Sequence, residues 1–264
     1  MKKITMKDVA REAGVSVATV SYIINNREDQ KISPETRNKV LQIINLLNYT
    51  PNQTAKSLVT QKSYIVALYY KEATSYLKKA EQLHFINKLS NFLHDKNYHL
   101  MCLSEPHIEK FDLADVILTL DINKEDFYRI GNANFAPLIA LDSFVNDPLF
   151  FQINSDFQKL KELANTYFKG QNFTFMSLPI EDCERRELLK EVFPSLVFIE
   201  TVDDLTQNNH KNILVIDSIL NNLISSSETK LYIPNFSEEK FDKVFQAIEW
   251  ASQRIEISNH NILV

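Results

Sequence analysis

The chain of 264 residues contains only three glycines. Dinucleotide-binding loops, phosphate-binding loops and the nucleophile elbow of serine hydrolases each need glycines at fixed short spacings, because the backbone must turn sharply or approach a ligand closely. Gly14, Gly131 and Gly170 are too far apart to form any of these motifs. We therefore predict that the protein is not an enzyme.

Cysteine is scarce as well, with Cys102 and Cys183 as its two instances. Two cysteines are too few for a cysteine-rich zinc site, and the six histidines show no ligand spacing on one helical face. No apolar run approaches the length that spans a bilayer, and no signal-peptide core follows Lys2 and Lys3. The sequence predicts no cofactor, no metal ion and no membrane partner.

Charge is unevenly distributed along the chain, whose formal net charge is −5. Residues 1–63 hold ten Lys and Arg against five Asp and Glu, whereas residues 64–264 hold nineteen against twenty-nine. A basic segment joined to an acidic remainder is typical of a protein in which one part contacts nucleic acid. We expect a phosphate-bearing partner for the first segment only.

The basic segment has the pattern of two short helices joined by a tight turn. Thr5 and Asp8 have the spacing of a capping box, and Gly14 stands where a helix ends in the left-handed conformation. Ser16 can cap a second helix, whose inward face carries Val20, Ile23 and Ile24. The outer face of that helix is left with Val17, Ala18, Ser21 and Tyr22.

A third helix is predicted from Ser33 onward, with proline in its first turn and an early acid. Its apolar stripe consists of Val40, Ile43, Ile44 and Leu47. The helix, glycine turn, helix order is the geometry that places the second helix in the major groove of DNA. A three-helix bundle without DNA is the alternative, and the basic charge of the segment favours DNA.

The opening residues closely resemble those of one family. Residues 8–25 read D-V-A-x-x-A-G-V-S-x-x-T-V-S-x-x-x-N, the opening pattern of the lactose-repressor family of bacterial transcription regulators, and the match continues to residue 58 without a gap. The resemblance implies a helix-turn-helix domain over residues 1–50 and a hinge helix or linker over residues 51–63. With so few cysteines, it also places the chain in the bacterial cytoplasm.

The resemblance assigns a role to the hinge. In the family this segment becomes helical on operator DNA, and leucines of two protomers wedge between bases from the minor groove. The matching residues here are Ala55, Lys56, Ser57 and Leu58. The alternative is that Leu58 packs against the domain that follows.

Contacts to bases and phosphates follow from position in the helix-turn-helix. Base edges would be met by Val17, Ala18 and, one turn later, Tyr22. The other predicted DNA-binding residues are polar, and the last four would mainly contact phosphate: Thr5, Ser16, Thr19, Ser21 and Asn25. Because Val17 and Ala18 can contact thymine methyl groups, they favour A·T pairs.

Residues 64–264 have a different pattern. Continuous apolar runs of strand length lie at residues 64–70, 115–120, 137–141, 172–176 and 212–216. Helical patterns lie between or after them, at about 80–96, 156–169, 181–193 and 237–254. Strands buried on both faces and alternating with helices predict an α/β domain with mostly parallel sheets, long enough for two lobes.

In the lactose-repressor family this domain is similar to periplasmic sugar-binding proteins, with two lobes, a small molecule in the cleft, and dimer contacts along the lobes. On that plan the segment Ile153-Asn154-Ser155-Asp156 begins the second lobe, and Asp217 ends a strand that offers an acid to the ligand. The candidate effector-binding residues are Asp142, Arg185, Arg186 and Asp217. The expected effector is a sugar or sugar phosphate.

Departures from the family plan concern this cleft. The C-terminal domain is shortened, mainly after Arg186 and around Asn235, and Arg186 is followed by Glu-Leu-Leu where the family has Gly-Phe. These departures predict a shrunken or inactive cleft, in which Arg186 is a solvated residue paired with Glu181 or Asp182.

Two functions remain open. The first is a homodimeric repressor that binds a near-palindromic operator and is controlled by a small molecule. The second is a DNA-binding protein that is effector-independent or controlled by a partner protein, and whose α/β domain serves dimerisation. An open pocket lined by Asp142, Arg186 and Asp217 would favour the first, and a collapsed apolar contact would favour the second.

We predict that Leu58→Ala weakens specific operator binding while barely changing thermal stability, because the side chain acts only on bound DNA. Lys56→Ala should instead weaken binding to all duplexes and flatten its salt dependence. Titrations of operator and random DNA at several salt concentrations test both changes. Unchanged operator affinity of Leu58→Ala would remove the wedge.

Overall fold

The computed structural model describes residues 4–25, 27, 29–49, 62–104, 110–111, 113–207, 211–224 and 229–264. The chain separates into two units, Met1–Ser63 and Tyr64–Val264, each of which has its own core. The predicted hinge residues Ala55, Lys56, Ser57 and Leu58 lie outside the described residues, so their roles stay predictions.

The N-terminal unit begins with the predicted capping box. The amide of Asp8 donates to Thr5 Oγ1 at 3.4 Å, and the amide of Thr5 donates to Asp8 Oδ2 at 3.0 Å, at the start of helix α1 (Met6–Ala13). Gly14 ends that helix with φ 66°, in the left-handed region that glycine enters at little cost. The chain can therefore turn at once into the second helix.

Helix α2 (Val17–Ile24) is capped by Ser16, and helix α3 (Pro34–Leu46) by Ser33. The fully buried residues of the three helices form one small core: Val9, Ala10, Ala13, Val20, Ile23 and Val40. Three residues of the predicted stripe on α3 lie half-buried around this core: Ile43, Ile44 and Leu47. The expected helix-turn-helix with a third supporting helix is confirmed.

The C-terminal unit alternates strands and helices. In chain order its elements are β1 (Ile65–Tyr70), α4 (Tyr76–Asp95), β2 (His99–Ser104), β3 (Val116–Leu120), α5 (Lys124–Ala133), β4 (Leu138–Leu141), β5 (Phe151–Asn154), α6 (Phe157–Tyr167), β6 (Thr174–Ser177), α7 (Cys183–Val192), β7 (Leu196–Phe198), α8 (Val202–Gln207), β8 (Asn212–Val215), α9 (Ser218–Leu223), β9 (Thr229–Tyr232), α10 (Glu238–Gln253) and β10 (Asn261–Leu263).

These strands form two parallel sheets, one in each lobe. The first sheet has the order β10-β5-β4-β3-β1-β2, and the second has the order β7-β6-β8-β9. The predicted α/β architecture with two lobes is thereby confirmed.

The chain crosses between the lobes at two points, after β5 and after β9. Strand β5 pairs with β4 in the first sheet, whereas Phe157 of α6 lies in the core of the second lobe. The expectation that Ile153-Asn154-Ser155-Asp156 begins the second lobe is therefore wrong for the strand and right for the helix that follows. After β9 the chain returns, and α10 packs its apolar stripe on the first sheet.

Strand β1 enters the first sheet between β2 and β3. The residue before it, Tyr64, has φ 59°, and its amide donates to Asp115 Oδ2 at 2.9 Å. The chain is thus fixed to the sheet at the first residue of the unit. In the described ranges, every helix is too short or too polar to cross a membrane.

Candidate DNA-binding face and interlobe cleft

The outer face of α2 carries small and apolar side chains. Val17 is 39% exposed, Ser16 and Ala18 are also exposed, and Ser21 and Tyr22 are half-buried at the rim of the core. This face presents methyl groups and the short side chain of Ser16, and it has few bulky side chains that would keep it from the base edges in a DNA groove.

The polar residues in and next to α2 form hydrogen bonds at the two ends of the helix. Ser16 Oγ accepts a hydrogen bond from the Thr19 amide at 3.0 Å, and the two hydroxyl oxygens are 2.8 Å apart. Asn25 Nδ2 donates to the carbonyl oxygen of Ser21 at 2.8 Å. Thr5 is exposed and caps α1. These contacts stabilise the ends of α1 and α2, and the predicted contacts of these residues with DNA stay predictions.

The interlobe cleft of the C-terminal unit is built on two strand ends of the first lobe. Asp121 follows β3 and Asp142 follows β4, and because the strands are parallel and adjacent, both carboxylates lie at the same edge of the sheet. Both residues have a left-handed backbone, with φ 49° and 50°. Aspartate tolerates this conformation better than most residues, which suits it to a sharp turn after a buried strand.

Three cationic side chains surround these two carboxylates. Lys78 Nζ lies 2.9 Å from Asp121 Oδ2, and Lys240 Nζ lies 2.6 Å from Asp142 Oδ1. Both lysines belong to helices packed on the first lobe. The guanidinium of Arg185, from the second lobe, lies 3.8 Å from Asp121 Oδ1 and 3.4 Å from Asp142 Oδ2.

The N-terminus of α7 is hydrogen-bonded to the first lobe. Asp121 Oδ1 accepts from the amides of Glu181 and Asp182 at 3.2 and 3.3 Å, and Asn123 Oδ1 accepts from the Cys183 amide at 3.0 Å. In return, the Phe144 amide of the first lobe donates to Asp182 Oδ2 at 2.5 Å. The two lobes therefore satisfy each other's polar groups.

Further contacts close the cleft at its sides. Glu81 on α4 accepts from the amides of Ser218 and Ile219 at 3.1 and 2.8 Å, so it caps α9 of the other lobe. Phe144 packs on one core of the second lobe and Leu77 on the other. Apolar packing and hydrogen bonds together hold the lobes in a closed arrangement.

The space left in the cleft is small. Asp121, Asp142, Arg185, Asp217 and Asn235 line a cavity of about 40 Å³ together with neighbouring side chains. Pockets that bind small molecules usually enclose roughly 300–1,000 Å³. The sequence left an open pocket and a collapsed apolar contact as alternatives. The structure shows neither, because the cleft is closed and lined by charged side chains.

Burial shifts the ionisation of the acidic groups in different directions. Desolvation raises the pKa of Asp182 and of Asp217 to about 6, against the effect of the hydrogen bonds that each accepts. Desolvation also acts on Asp142, but Arg185 and Lys240 outweigh it and lower the pKa of that carboxyl. Asp142 is thus held ionised, whereas Asp182 and Asp217 titrate only slightly below neutral pH.

Three of the four predicted effector residues meet around this cavity: Asp142, Arg185 and Asp217. Arg186 does not, and the expectation that it lines the cleft is wrong because it lies on the other side of α7. Its guanidinium donates to the carbonyl oxygen of Ile180 at 3.0 Å and to Cys183 Sγ at 3.2 Å, not to Glu181 or Asp182.

Sequence reasoning missed Asp121, Lys78 and Lys240. Asp121 had a usable signal, because it follows a buried parallel strand just as Asp142 and Asp217 do. Lys240 also had one, since it lies on the same helical face as Val244 and Ala247, where a lysine must be paired to be buried. Lys78 was missed because the helix was expected to begin later than it does. The described residues include no cluster of His, Cys, Asp or Glu that could hold a metal ion.

Comparison with known proteins supports the assignment of the N-terminal unit. The family model "Bacterial regulatory proteins, lacI family" matches residues 5–52. The chain is 30% identical over 176 residues to the probable HTH-type transcriptional repressor ExuR of Bacillus subtilis, covering 62% of this chain and 51% of that protein. It is 55% identical over 60 residues to the HTH-type transcriptional regulator GalS of Salmonella typhimurium, covering 23% of this chain and 17% of that protein.

These matches confirm the predicted resemblance of the opening residues to the lacI family of bacterial regulatory proteins. The chain spans about half the length of its relative ExuR. Its fold is similar to that of the Lac repressor in the crystal structure of the dimer bound to operator and the anti-inducer ONPF, with a TM-score of 0.56 and 15% identity, covering 100% of this chain and 96% of that one. The relatives ExuR and GalS carry the names of regulators of transcription, which agrees with the prediction that the chain is not an enzyme.

We predict that the C-terminal unit becomes less stable as pH rises from about 4 to above 6, the interval over which Asp217 ionises in the unfolded chain but not in the folded one. Asp217→Asn keeps an acceptor for the Leu178 amide and removes the charge, so its stability should depend less on pH. At neutral pH the free energies of unfolding of Asp217→Asn and the wild-type chain should differ by no more than about 3 kcal/mol.

Urea unfolding followed by the fluorescence of Trp250, the single tryptophan of the chain, measures this dependence. Glu239→Gln, at an exposed position of α10, serves as the control and should retain the wild-type dependence. A pH dependence that is the same in Asp217→Asn and in the wild-type chain would contradict the assignment to Asp217.

Proposed function

We propose that the protein is a sequence-specific DNA-binding regulator of transcription, acting as a homodimeric repressor on a near-palindromic operator in the bacterial cytoplasm. The observation that carries the proposal is the N-terminal unit, in which α1, the Gly14 turn and α2 present the exposed face of Val17 and Ala18. The match of residues 5–52 to the lacI family supports it.

An exposed apolar face of the C-terminal unit supports the homodimer. Tyr76 and Leu83 on α4 are 87% and 59% exposed, and Leu223 on α9 is 44% exposed. Helices α4 and α9 belong to different lobes and pack against each other. Large exposed apolar side chains on packed helices are typical of protein contacts, and a second copy of the chain offers the matching surface.

The closed cleft favours one of the two modes of regulation. A sugar of ordinary size does not fit into a cavity of about 40 Å³ whose charged walls are paired with one another. We therefore favour a repressor that is effector-independent or controlled by a partner protein over one that is released by a sugar or sugar phosphate.

Selection of duplexes from a random pool by the full-length chain tests DNA binding. We expect enrichment of near-palindromic sites, with affinity that falls steeply as salt rises. In Val17→Asn an amide replaces the methyl groups at the base edges, and the preferred base should change at one position of each half-site. Leu46→Asn, at a 74% exposed position of α3, is the matched control and should select the wild-type sequence.

If Val17→Asn selects the same sequence as the wild-type chain, α2 does not read the bases. If the wild-type chain enriches no sequence at all, the proposed function is wrong.

Leu83→Glu should convert the dimer to a monomer, because it places a charge in the proposed apolar contact. Sedimentation equilibrium measures the change, and operator affinity should fall with it, since a palindrome needs two recognition helices. Leu149→Glu, at an exposed position before β5, is the control and should remain dimeric. A monomeric wild-type chain, or a dimeric Leu83→Glu, would refute this interface.

A further inference from the structure

The charged groups of the cleft follow a common arrangement. Each of the two central carboxylates turns one oxygen towards its own lobe and the other towards the second lobe. Asp121 contacts Lys78 through Oδ2 and Arg185 through Oδ1, while Asp142 contacts Lys240 through Oδ1 and Arg185 through Oδ2. Arg185 is the cation from the second lobe that both carboxylates share.

Arg185 is almost completely buried. The residue is 3% exposed, and its guanidinium carbon lies over the Phe157 ring, 5.8 Å from the ring centre. Its Nε has no hydrogen-bond partner among the described residues, and it lines the cavity of about 40 Å³. Such a cavity holds about three water molecules, so the guanidinium is the principal occupant of the cleft.

We infer that Arg185 is a built-in ligand of the interlobe cleft: its guanidinium binds Asp121 and Asp142 and closes the two lobes as a bound small molecule would. The closed form then needs no effector. This inference extends the proposed function by stating what holds the two lobes of the C-terminal unit closed. It rests on the proposed function only where it concerns regulation.

The position of the cations explains why an external ligand is not needed. Without Arg185, Asp121 and Asp142 would each keep the lysine beside them, but Asp121 Oδ1 and Asp142 Oδ2 would lose the cation that the second lobe supplies. Truncating one member of a buried ion network is costly, so the lobes would separate or take up another cation. A neutral sugar entering the closed cleft would have to break these contacts without replacing the charge.

The three amides at the start of α7 report closure directly. Glu181, Asp182 and Cys183 donate their backbone N–H groups to Asp121 and Asn123 of the other lobe. Hydrogen exchange at these amides therefore measures whether the lobes are closed, independently of the stability of either sheet. Exchange in strand β3 serves as the internal reference, because its hydrogen bonds lie within one lobe.

The test is Arg185→Ala in the full-length chain, with rescue by propylguanidinium, which has the chemistry of the deleted side chain. We expect exchange at residues 181–183 to accelerate more than exchange in β3, and the melting temperature to fall by roughly 6 °C or more. Propylguanidinium at millimolar concentration should restore both, whereas equal concentrations of propylammonium or sodium chloride should restore less or nothing. The wild-type chain should not respond.

Arg186→Ala is the matched control, because Arg186 is the adjacent arginine on the same helix and does not face the cavity. It should leave exchange at residues 181–183 unresponsive to propylguanidinium. If Arg185→Ala does not fold, Arg185→Lys is the alternative, because it keeps the positive charge but lacks the planar guanidinium that contacts both carboxylates. Its exchange at residues 181–183 should be faster than in the wild-type chain.

Two results would overturn the inference. One is wild-type exchange at residues 181–183 in Arg185→Ala or, if that variant does not fold, in Arg185→Lys. The other is a sugar or sugar phosphate that raises the melting temperature of the wild-type chain and slows exchange at these amides. Neither measurement involves DNA, so failure here is distinct from failure of the proposed function.

Discussion

The C-terminal unit depends on the ion pairs of two buried aspartates, Asp121 and Asp142, at neighbouring strand ends. Buried carboxylates are tolerated only when paired, and these two draw cations from both lobes and from the returning helix α10. The hydrogen bonds at the start of α7 and the small size of the cavity follow from that demand. A parallel sheet supplies the geometry, because it brings the ends of β3 and β4 to one edge.

This arrangement changes what the resemblance to the lacI family implies for the chain. The cleft positions expected to contact an effector are present as Asp142, Arg185 and Asp217, but in this structure they are used for contacts within the protein. The residue types at a site do not fix its function by themselves, because here each group is paired with another group of the same protein. Specific closure, more than net stability, is what buried ion pairs of this kind provide, since their desolvation offsets much of their attraction.

Much of the fold was predictable because its strongest signals are local. The capping box at Thr5, the turn at Gly14 and the long apolar runs of β1, β3 and β8 depend on nearby residues alone. Strands β7, β9 and β10 gave no such signal, because they lie at sheet edges and are only partly buried. The cleft was harder still: Arg185 and Arg186 are adjacent in sequence, and only the rotation of α7 on its sheet decides which of them faces inward.

The first strand of the C-terminal unit is an interior strand. Strand β1 lies between β2 and β3, and the residue before β1, Tyr64, is hydrogen-bonded to Asp115. The covalent connection to the N-terminal residues therefore ends at a strand that has a neighbour on both sides. A mechanical load applied along that connection would have to shear two parallel ladders at once, whereas a load on an edge strand would peel one. Tension at this junction is thus carried by the first lobe as a whole.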